Sequence, residues 1–503
     1  MNEMIKLVVR VGAIGAFVLC SLSNGRAQAG TNQVKSLTLQ ECIERALQNN
    51  LDIKIQRVNP TIQSWGVVSA QGVFDPALSG STRYEDNAQP ADPEQARSLG
   101  LSSFQQQTWL SQVGLAGLLP SGTQYGLSGS DTRTSGTLAR NFVYTGPISG
   151  FLTQPILKNF GFSVNTALIQ IARKSREIAV QNFVQQVINS ISAVENAYYE
   201  LVFAIEDHKA KLEDLNLAKQ LLDETQRKVQ IGVSSPLDVT TAESGVASRE
   251  EAVILAERTI KDNENALKLL ISQNVSEFRN TTFVPVNYPI VQRVETDVAR
   301  SIRTALETRP DYLAARKAVE RQNIQVKFNR NQLWPEIDLN GSYGWNGRGG
   351  TFVNWAEDVG SRDNPDWAAG VSVSFPIGDR QARANYHTAR LQAEQLLLQL
   401  KQMEQQIIVA VDNAAGHVQT NLKSVDAASA ARRLAEESYK AERTKLQAGT
   451  STTLNVLTQE SALADARSAE IRARTNYSES LAALAQAEGT ILQQNNIVLN
   501  ERF

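Results

Sequence analysis

The sequence predicts an α+β membrane protein in which one unit of long helices and short strands is built twice. Residues 228–244 reappear 217 residues later as residues 445–461. Long segments with apolar residues at helical spacing also alternate with short segments in which every second residue is apolar. A repeat of this length indicates that each half folds as one copy of a shared unit.

The N-terminus has the pattern of an export signal. Lys6 and Arg10 precede an apolar run over 11–22, and an A-x-A site follows just before Gly30. A positive flank, a short apolar core and small residues at the cleavage site are typical of a secretory signal peptide, here residues 1–29. The run is too short to span a bilayer as a helix.

Cysteine usage agrees with export to a bacterial envelope. Cys20 would suggest a lipid anchor, but Leu19 precedes it where a small residue is wanted, so we do not expect lipidation. Removal of the signal leaves Cys42 as the single cysteine. No internal disulfide is then possible, and no later run reaches the length of a transmembrane helix.

Composition argues against several classes of function. The formal net charge is −2, which gives no reason to expect nucleic acid as a partner. Three histidines, three methionines and one mature cysteine form no metal-ligand cluster. No phosphate loop, nucleophile elbow or paired catalytic carboxylate is found, so we expect neither a cofactor nor enzyme activity.

Helices dominate each half. Residues 46–53 match residues 305–312, which predicts an equivalent helix early in each half. Steps of mainly three, four and seven residues then link the apolar positions Val187, Ile191, Val194, Tyr198, Leu201, Ile205, Leu212, Leu215 and Leu222. This is a coiled-coil seam. The second half repeats it with Val411, Ala415, Val418, Leu422 and Val425. Partner helices are predicted over 237–271 and 454–492, and a helix of 60–70 residues would be about 100 Å long.

The strand signal is clearest in the second half. Apolar residues alternate with small or polar ones in two short stretches, at Ile337, Leu339, Tyr343 and Trp345 and at Trp367, Ala369, Val371, Val373 and Phe375. A polar loop over 346–366 separates them. Strands of this length with one apolar face fit a membrane β-barrel, although a soluble sandwich would alternate similarly.

The first half contains an insertion between its matching prolines. Pro76 to Pro155 spans 79 residues, whereas the equivalent Pro335 to Pro376 spans 41. Alternating residues around a Pro-Ser-Gly turn predict that one additional hairpin, at about 108–130, fills most of the 38-residue surplus. The sequence leaves open whether this hairpin joins a barrel wall.

The predicted domains follow from the duplication. Residues 30–292 form the first repeat, 293–492 the second and 493–503 a C-terminal tail. Two strands per half cannot close a barrel, and an open sheet edge is excluded in lipid. We therefore expect an oligomer whose chains pool their strands into one barrel that the helices continue as a tube.

The sequence resembles the TolC-like outer membrane efflux protein family. The resemblance covers nearly all of the mature chain and rests on the start of the repeat at 36–50, on Trp334 and Pro335, on 375–377 and on two Gly-x5-Asp/Asn-Val turns. It implies a homotrimer with a barrel in the bacterial outer membrane and a large periplasmic α-helical tunnel. It also implies an exit duct for efflux or type I secretion that docks on a periplasmic adaptor and an inner membrane transporter.

The resemblance also implies the roles of the two turns, which would be the periplasmic tips. Adaptor or transporter docking is expected at Gly232, Ser234, Gly449 and Ser451. Family tunnels are often closed by acidic residues near the second tip, but the matching aperture residues Asn455 and Thr458 are uncharged. Asp238 on the first tip keeps an acid. This departure argues against strong cation selectivity.

A second interpretation is a structural coiled-coil tether of the envelope whose strands form a soluble cap. A conduit requires one apolar face toward lipid and one polar face toward a lumen. Residues 367–375 meet that requirement, whereas 145–155, interrupted by Pro147, meet it poorly. The sequence favours the conduit and does not identify its cargo.

Overall fold

The computed structural model describes residues 33–137, 141–288 and 291–499. The predicted signal peptide and the last residues of the tail lie outside these ranges. Within them, no helix combines the length and apolar character needed to cross a bilayer.

Twelve α-helices are described in these ranges, and two of them exceed 60 residues. They are α1 (Leu39–Asn49), α2 (Leu51–Gln71), α3 (Pro93–Leu99), α4 (Phe162–Asn165), α5 (Ala167–Gln230), α6 (Pro236–Ile271), α7 (Val298–Thr308), α8 (Pro310–Asn331), α9 (Phe352–Ser361), α10 (Arg380–Gln447), α11 (Thr453–Glu488) and α12 (Ile491–Gln494). At about 1.5 Å per residue, α5 and α10 are each about 100 Å long, the length that the seams predict.

The described strands form two sheets. They are β1 (Gln33–Leu37), β2 (Ala77–Pro90), β3 (Ser103–Leu118), β4 (Gln124–Gly136), β5 (Val143–Pro155), β6 (Thr281–Pro285), β7 (Glu336–Gly349) and β8 (Pro365–Ser374). β1 and β6 pair in parallel, and the other six form one antiparallel sheet in the order β2-β3-β4-β5-β7-β8. The additional hairpin is β3–β4, which runs further at both ends than the predicted 108–130 and lies inside the sheet.

Both halves start with a helix that breaks at an equivalent position. α1 ends at Asn50, whose side chain accepts from the N–H groups of Asp52 and Ile53 and so caps α2. In the second half α7 ends at Arg309, and Pro310 starts α8 at a helical position where its missing N–H costs nothing. Different caps therefore produce the same break, at residues that the repeat aligns.

The main core lies where α1, α5, α6 and the β1–β6 pair meet. Val187, Ile191, Val194, Tyr198 and Leu201 of the predicted seam are fully buried there. Further along α5 the seam prediction is wrong in part. Leu212 is 37% exposed, whereas Leu215 is buried as predicted. Ala210, Asp214, Ala218 and Leu221, which lie outside the predicted seam, are buried as well. In this distal part the helix packs through small and charged side chains as well as leucines.

The two-stranded sheet is fixed by buried polar contacts. Lys268 Nζ donates to the carbonyl of Thr281 at 2.6 Å, and the N–H of Phe283 donates to Glu264 Oε1 at 2.7 Å. The Tyr198 hydroxyl accepts from the N–H of Asn287 at 3.0 Å. Burial lowers the pKa of Lys268, while the neighbouring Glu264 opposes that shift. Strand β6 is thereby held against α5 and α6.

The segment between β7 and β8 corrects the polar-loop prediction. Residues 352–361 form α9, with Thr351 as its N-cap. Trp355 and Val359 are buried against β7, and Trp355 Nε1 donates to the carbonyl of Gly146 at 3.1 Å. Gly347 leaves room for this helix, since a Cβ there would lie 2.2 Å from Val359. The apolar spacing 352, 355, 359 is helical, and the surrounding glycines and aspartates obscured it.

Candidate functional site: the sheet faces and the tips of the helical hairpins

The six-stranded sheet has two chemically different faces. Directly paired residues of antiparallel strands have their side chains on the same face of the sheet. The pairing registers therefore assign each residue of the six strands to one of the two faces. One face is apolar and solvent-exposed in the single chain, with Leu78, Val113, Leu127, Leu152, Leu339, Trp367, Val371 and Val373. The opposite face is small and polar, with Ser79, Gln112, Ser128, Ser149, Thr153, Asn340, Ser342 and Ser372. An apolar band of this size marks a surface that contacts lipid or protein.

The two sheet edges lack a partner strand among the described residues. β2 and β8 are the outermost strands, and every residue in both is exposed. A long exposed edge is a template for pairing with another strand. The single chain is therefore an incomplete sheet.

The two tips have the same backbone design. Gly232 and Gly449 have φ of +78° and +77°, the left-handed conformation that favours glycine. After Gly232, the N–H of Val233 donates to the carbonyl of Lys228 at 2.8 Å. After Gly449, the N–H of Thr450 donates to the carbonyl of Lys445 at 2.9 Å. Both turns are Schellman motifs, so the repeated glycines end α5 and α10.

The next helix starts with a polar cap at each tip. Ser235 is the N-cap of α6, and its N–H donates to Asp238 Oδ2 at 2.9 Å in a capping box. Asp238, predicted to line the aperture, thus has a local role in starting α6. Ser234 precedes the cap and donates its N–H to the carbonyl of Lys228. At the second tip, Thr452 is the N-cap of α11.

Of the two uncharged residues predicted to line the aperture, Asn455 belongs to a network of polar contacts at the second tip. Ser451 Oγ donates to Glu442, and Asn455 Nδ2 lies 3.5 Å from Ser451 Oγ. Lys445 Nζ donates to the same carboxylate at 3.1 Å. These contacts, Ser451 first, lower the pKa of Glu442. The Thr458 hydroxyl is turned back onto the carbonyl of Leu454 at 2.9 Å.

Sequence reasoning missed the apolar character of the tips. Ile231, Val233 and Leu237 are 71–74% exposed at the first tip, and Leu454 is 60% exposed at the second. Four large apolar side chains are thus exposed around the two turns of the single chain. The signal was present in the sequence, because these residues flank the glycines without joining either seam.

A buried ionic cluster behind the tips was also missed. Arg249 Nε of α6 lies 2.8 Å from Asp214 Oδ2 of α5 and 3.8 Å from Glu460 Oε1 of α11. Glu460 is 1% exposed. Burial raises its pKa to about 7, although Arg249 acts in the opposite direction. The cluster joins the α5–α6 hairpin to α11, and a sequence pattern alone assigns such charges to solvated helix faces.

Apolar contacts beside this cluster complete the junction between the two helical hairpins. Leu221 of α5 packs with Tyr439 of α10 and with Val456, Leu457 and Leu463 of α11. Arg443 Nη2 of α10 donates to Glu224 Oε1 of α5 at 3.0 Å. The hairpins are thus joined close to the tips as well as at the main core.

This architecture, a two-faced sheet joined to helical hairpins about 100 Å long with matching turns, defines the class of outer membrane exit ducts. The family model of the outer membrane efflux protein matches residues 42–273 and 301–490. The chain belongs to the outer membrane efflux protein family, and the conduit interpretation is confirmed. The protein is located in the outer membrane and has a large periplasmic portion.

Individual relatives are distant in sequence. The chain is 24% identical to outer membrane protein TolC of Vibrio cholerae over 322 residues, which cover 62% of this chain and 70% of the relative. It is 22% identical to the probable efflux pump outer membrane protein TtgC of Pseudomonas putida over 418 residues, covering 82% and 71%. The CmeC outer membrane channel of Campylobacter jejuni shares the fold, with a TM-score of 0.65, 17% identity and coverage of 90% and 86%.

Proposed function

We propose that three copies of the chain pool their six-stranded sheets into one closed barrel, through which cargo leaves the cell passively. The exposed edges of β2 and β8 carry this proposal. In the hydrocarbon core each unpaired backbone group costs several kcal/mol, so pairing of β2 with β8 of the next copy removes a cost that no single chain can avoid. The apolar face would then contact lipid and the polar face would line the lumen.

The helices would continue this barrel as a periplasmic tunnel. α5, α6, α10 and α11 form two antiparallel hairpins that pack against each other, and their turns lie at the end remote from the sheet. A length of about 100 Å suits a duct that reaches across much of the periplasm. The tether interpretation accounts for the helices but leaves the apolar sheet face without a role.

We further propose that the tips dock a periplasmic adaptor, which links the duct to an inner membrane transporter. The exposed Ile231, Val233, Leu237 and Leu454 would form the apolar contact, and Gly232, Ser234, Gly449 and Ser451 would shape it. Asn455 and Thr458 place no charge at the aperture, and Asp238 is held by its capping box. Strong selection of cations at the tip is therefore not expected.

A matched pair of substitutions tests the barrel. Ser372→Asp on the polar face should assemble, whereas Val373→Asp on the apolar face should not, because it places a carboxylate in lipid. The measurement is the yield of trimer in detergent extracts of outer membranes, viewed by electron microscopy. A three-fold particle with a detergent belt at one end supports the conduit. Equal assembly of both variants, or a rod released without detergent, would establish the tether instead.

The docking surface can be tested with a photo-crosslinking residue at position 237 or 240 of the full-length protein in cells. Both positions are exposed on the first turns of α6, but Leu237 is apolar and Thr240 is polar. Crosslinking to a periplasmic adaptor, identified by mass spectrometry, should occur from 237 and not from 240. Crosslinks of equal strength from both positions, or none from either, would contradict apolar docking.

A further inference from the structure

The additional hairpin changes the strand count of the sheet. The second repeat contributes β7 and β8, whereas the first contributes β2, β3, β4 and β5. We infer that β3–β4 is part of the barrel wall, so that three chains close an 18-stranded outlet wide enough for bulky hydrophilic cargo. This inference rests on the proposed trimeric barrel and deepens it by assigning the outlet a width.

In the half next to its turn, the hairpin continues both faces of the sheet, whereas Asp131 and Arg133 of β4 lie on the apolar face in its far half. Trp109, Val113 and Leu115 of β3 lie on the apolar face, in register with Tyr84, Gly129 and Leu127 on neighbouring strands. The intervening residues of β3 and β4 are on the opposite face. They include Thr108, Gln112, Gly114, Ser128, Ser130 and Thr132, and Leu110 is the large apolar exception. A hairpin that folded outside the barrel would not need this match.

Glycine–aromatic contacts fix the hairpin against its neighbours. A Cβ at Gly126 of β4 would lie 2.3 Å from Phe151 of β5, so the aromatic ring covers this glycine on the polar face. On the apolar face, the ring of Tyr125 covers Gly117 of β3 in the same way. Aromatic cover over glycine pins strand register. The hairpin is therefore packed as a wall element.

The turn between β3 and β4 is anchored to the chain that leads into α5. The N–H of Gly161 donates to the carbonyl of Ser121 at 3.0 Å. Gly122, with φ of +94°, lies so close to the carbonyl of Asn159 that a Cβ would be 2.3 Å away. The hairpin thus ends at the level where the helices begin, as the other strands do.

The width follows from strand geometry. Strands lie about 4.8 Å apart and tilt by about 40° in membrane barrels, so 18 strands give a backbone diameter of about 36 Å and 12 strands about 24 Å. Side chains occupy about 5 Å on each inner wall, which leaves about 26 Å and about 14 Å. The polar face of β3 and β4 is uncharged over most of its length. The hairpin would accordingly widen the outlet without adding charged side chains to its lumen.

Cysteine pairs test whether the hairpin is in the wall. In trimers in outer membranes, Gln112→Cys should react with a membrane-impermeant maleimide, and Val113→Cys only with a bilayer-soluble one. Native Cys42 is fully buried, and burial raises its pKa to about 12, so it should stay unlabelled. Ser372→Cys and Val373→Cys are the matched pair on β8. If that pair alternates while 112 and 113 are both reached from water, the inference fails and the proposed barrel stands. If neither pair alternates, the proposed barrel fails.

Electron microscopy of the wild-type trimer tests the width directly. A barrel of about 36 Å between backbones supports the inference, and one of about 24 Å overturns it while leaving the trimeric duct intact. Deletion of residues 103–136 joins β2 to the antiparallel β5 and should narrow the barrel by about a third. A deletion variant that assembles with an unchanged barrel diameter would also overturn the inference. If the deletion variant does not assemble, the diameter of the wild-type barrel alone tests the inference.

Discussion

Replacement of Glu460 by glutamine is expected to stabilise the protein above pH 7 and to change little near pH 4.5. Burial raises the pKa of the Glu460 carboxyl from 4.5 to about 7 in the folded chain. An acid whose pKa is raised on folding stabilises the fold fully below its unfolded pKa. That stability is lost as the pH rises through the folded value.

The size of the effect follows from the shift. The folded and unfolded pKa values of Glu460 differ by about 2.5 units, and at about 1.36 kcal/mol per unit this corresponds to about 3 kcal/mol per chain. This loss of folding stability in the wild type is absent at pH 4.5 and complete above pH 7. Arg249 keeps Asp214 as its partner in the variant, so no buried cation is left unpaired. Glutamine has nearly the same volume as glutamate, so no cavity is created.

The assay is thermal unfolding of the purified trimer in detergent, followed by far-ultraviolet circular dichroism from pH 4.5 to 8.5. The wild-type midpoint should fall across this range by more than that of Glu460→Gln. Glu394→Gln is the control, because Glu394 is an exposed acid on α10, outside the Arg249 cluster. Parallel pH profiles for the wild type and Glu460→Gln would refute the assignment of a raised pKa to this carboxyl.

Three further predictions concern the turn, the core and the cysteine. Gly449→Ala should destabilise the protein by about 1–2 kcal/mol, because φ is positive there, whereas Gly416→Ala inside α10 should stabilise it by about 0.5–1 kcal/mol. Opposite signs in urea unfolding check this pair. Tyr198→Phe should cost about 0.5–1.5 kcal/mol in the same assay, since the N–H of Asn287 loses its acceptor in a partly buried hydrogen bond. Cys42 should react with maleimide at pH 8 only after denaturation, and rapid labelling of the native trimer would contradict its burial.

Much of the fold could be predicted because its signals are periodic. The seam from Val187 to Leu201 and the alternation in β7 and β8 each repeat often enough to be recognised within one element. By its sequence, β5 is a poor match to a membrane strand because of Pro147. The structure accommodates this proline by omitting two β4 pairs near it while β7 stays paired on the other side. The missing N–H of a proline is tolerated when backbone pairing is lost to only one of the two neighbouring strands.

The site was less accessible from the sequence. The glycines at the tips were found because the repeat aligns them, and the resemblance supplied their role. The cluster of Arg249, Asp214 and Glu460 joins residues up to 246 positions apart, so no local pattern reveals it. The exposed Leu237 and Leu454 look like ordinary helix residues until their neighbours are known. The docking roles at the tips remain predictions.

The short β1–β6 pair has a consequence for how the chain is built. It joins Gln33 to Thr281 and Leu37 to Pro285, so the two ends of the first repeat meet across 248 residues. An exported chain emerges N-terminus first, and β1 must wait for nearly the whole first repeat before it finds its partner. Loop closure over such a distance is slow compared with helix formation. The first repeat is therefore completed late, when β6 becomes available to pair with β1. The second repeat can then fold against the completed first repeat.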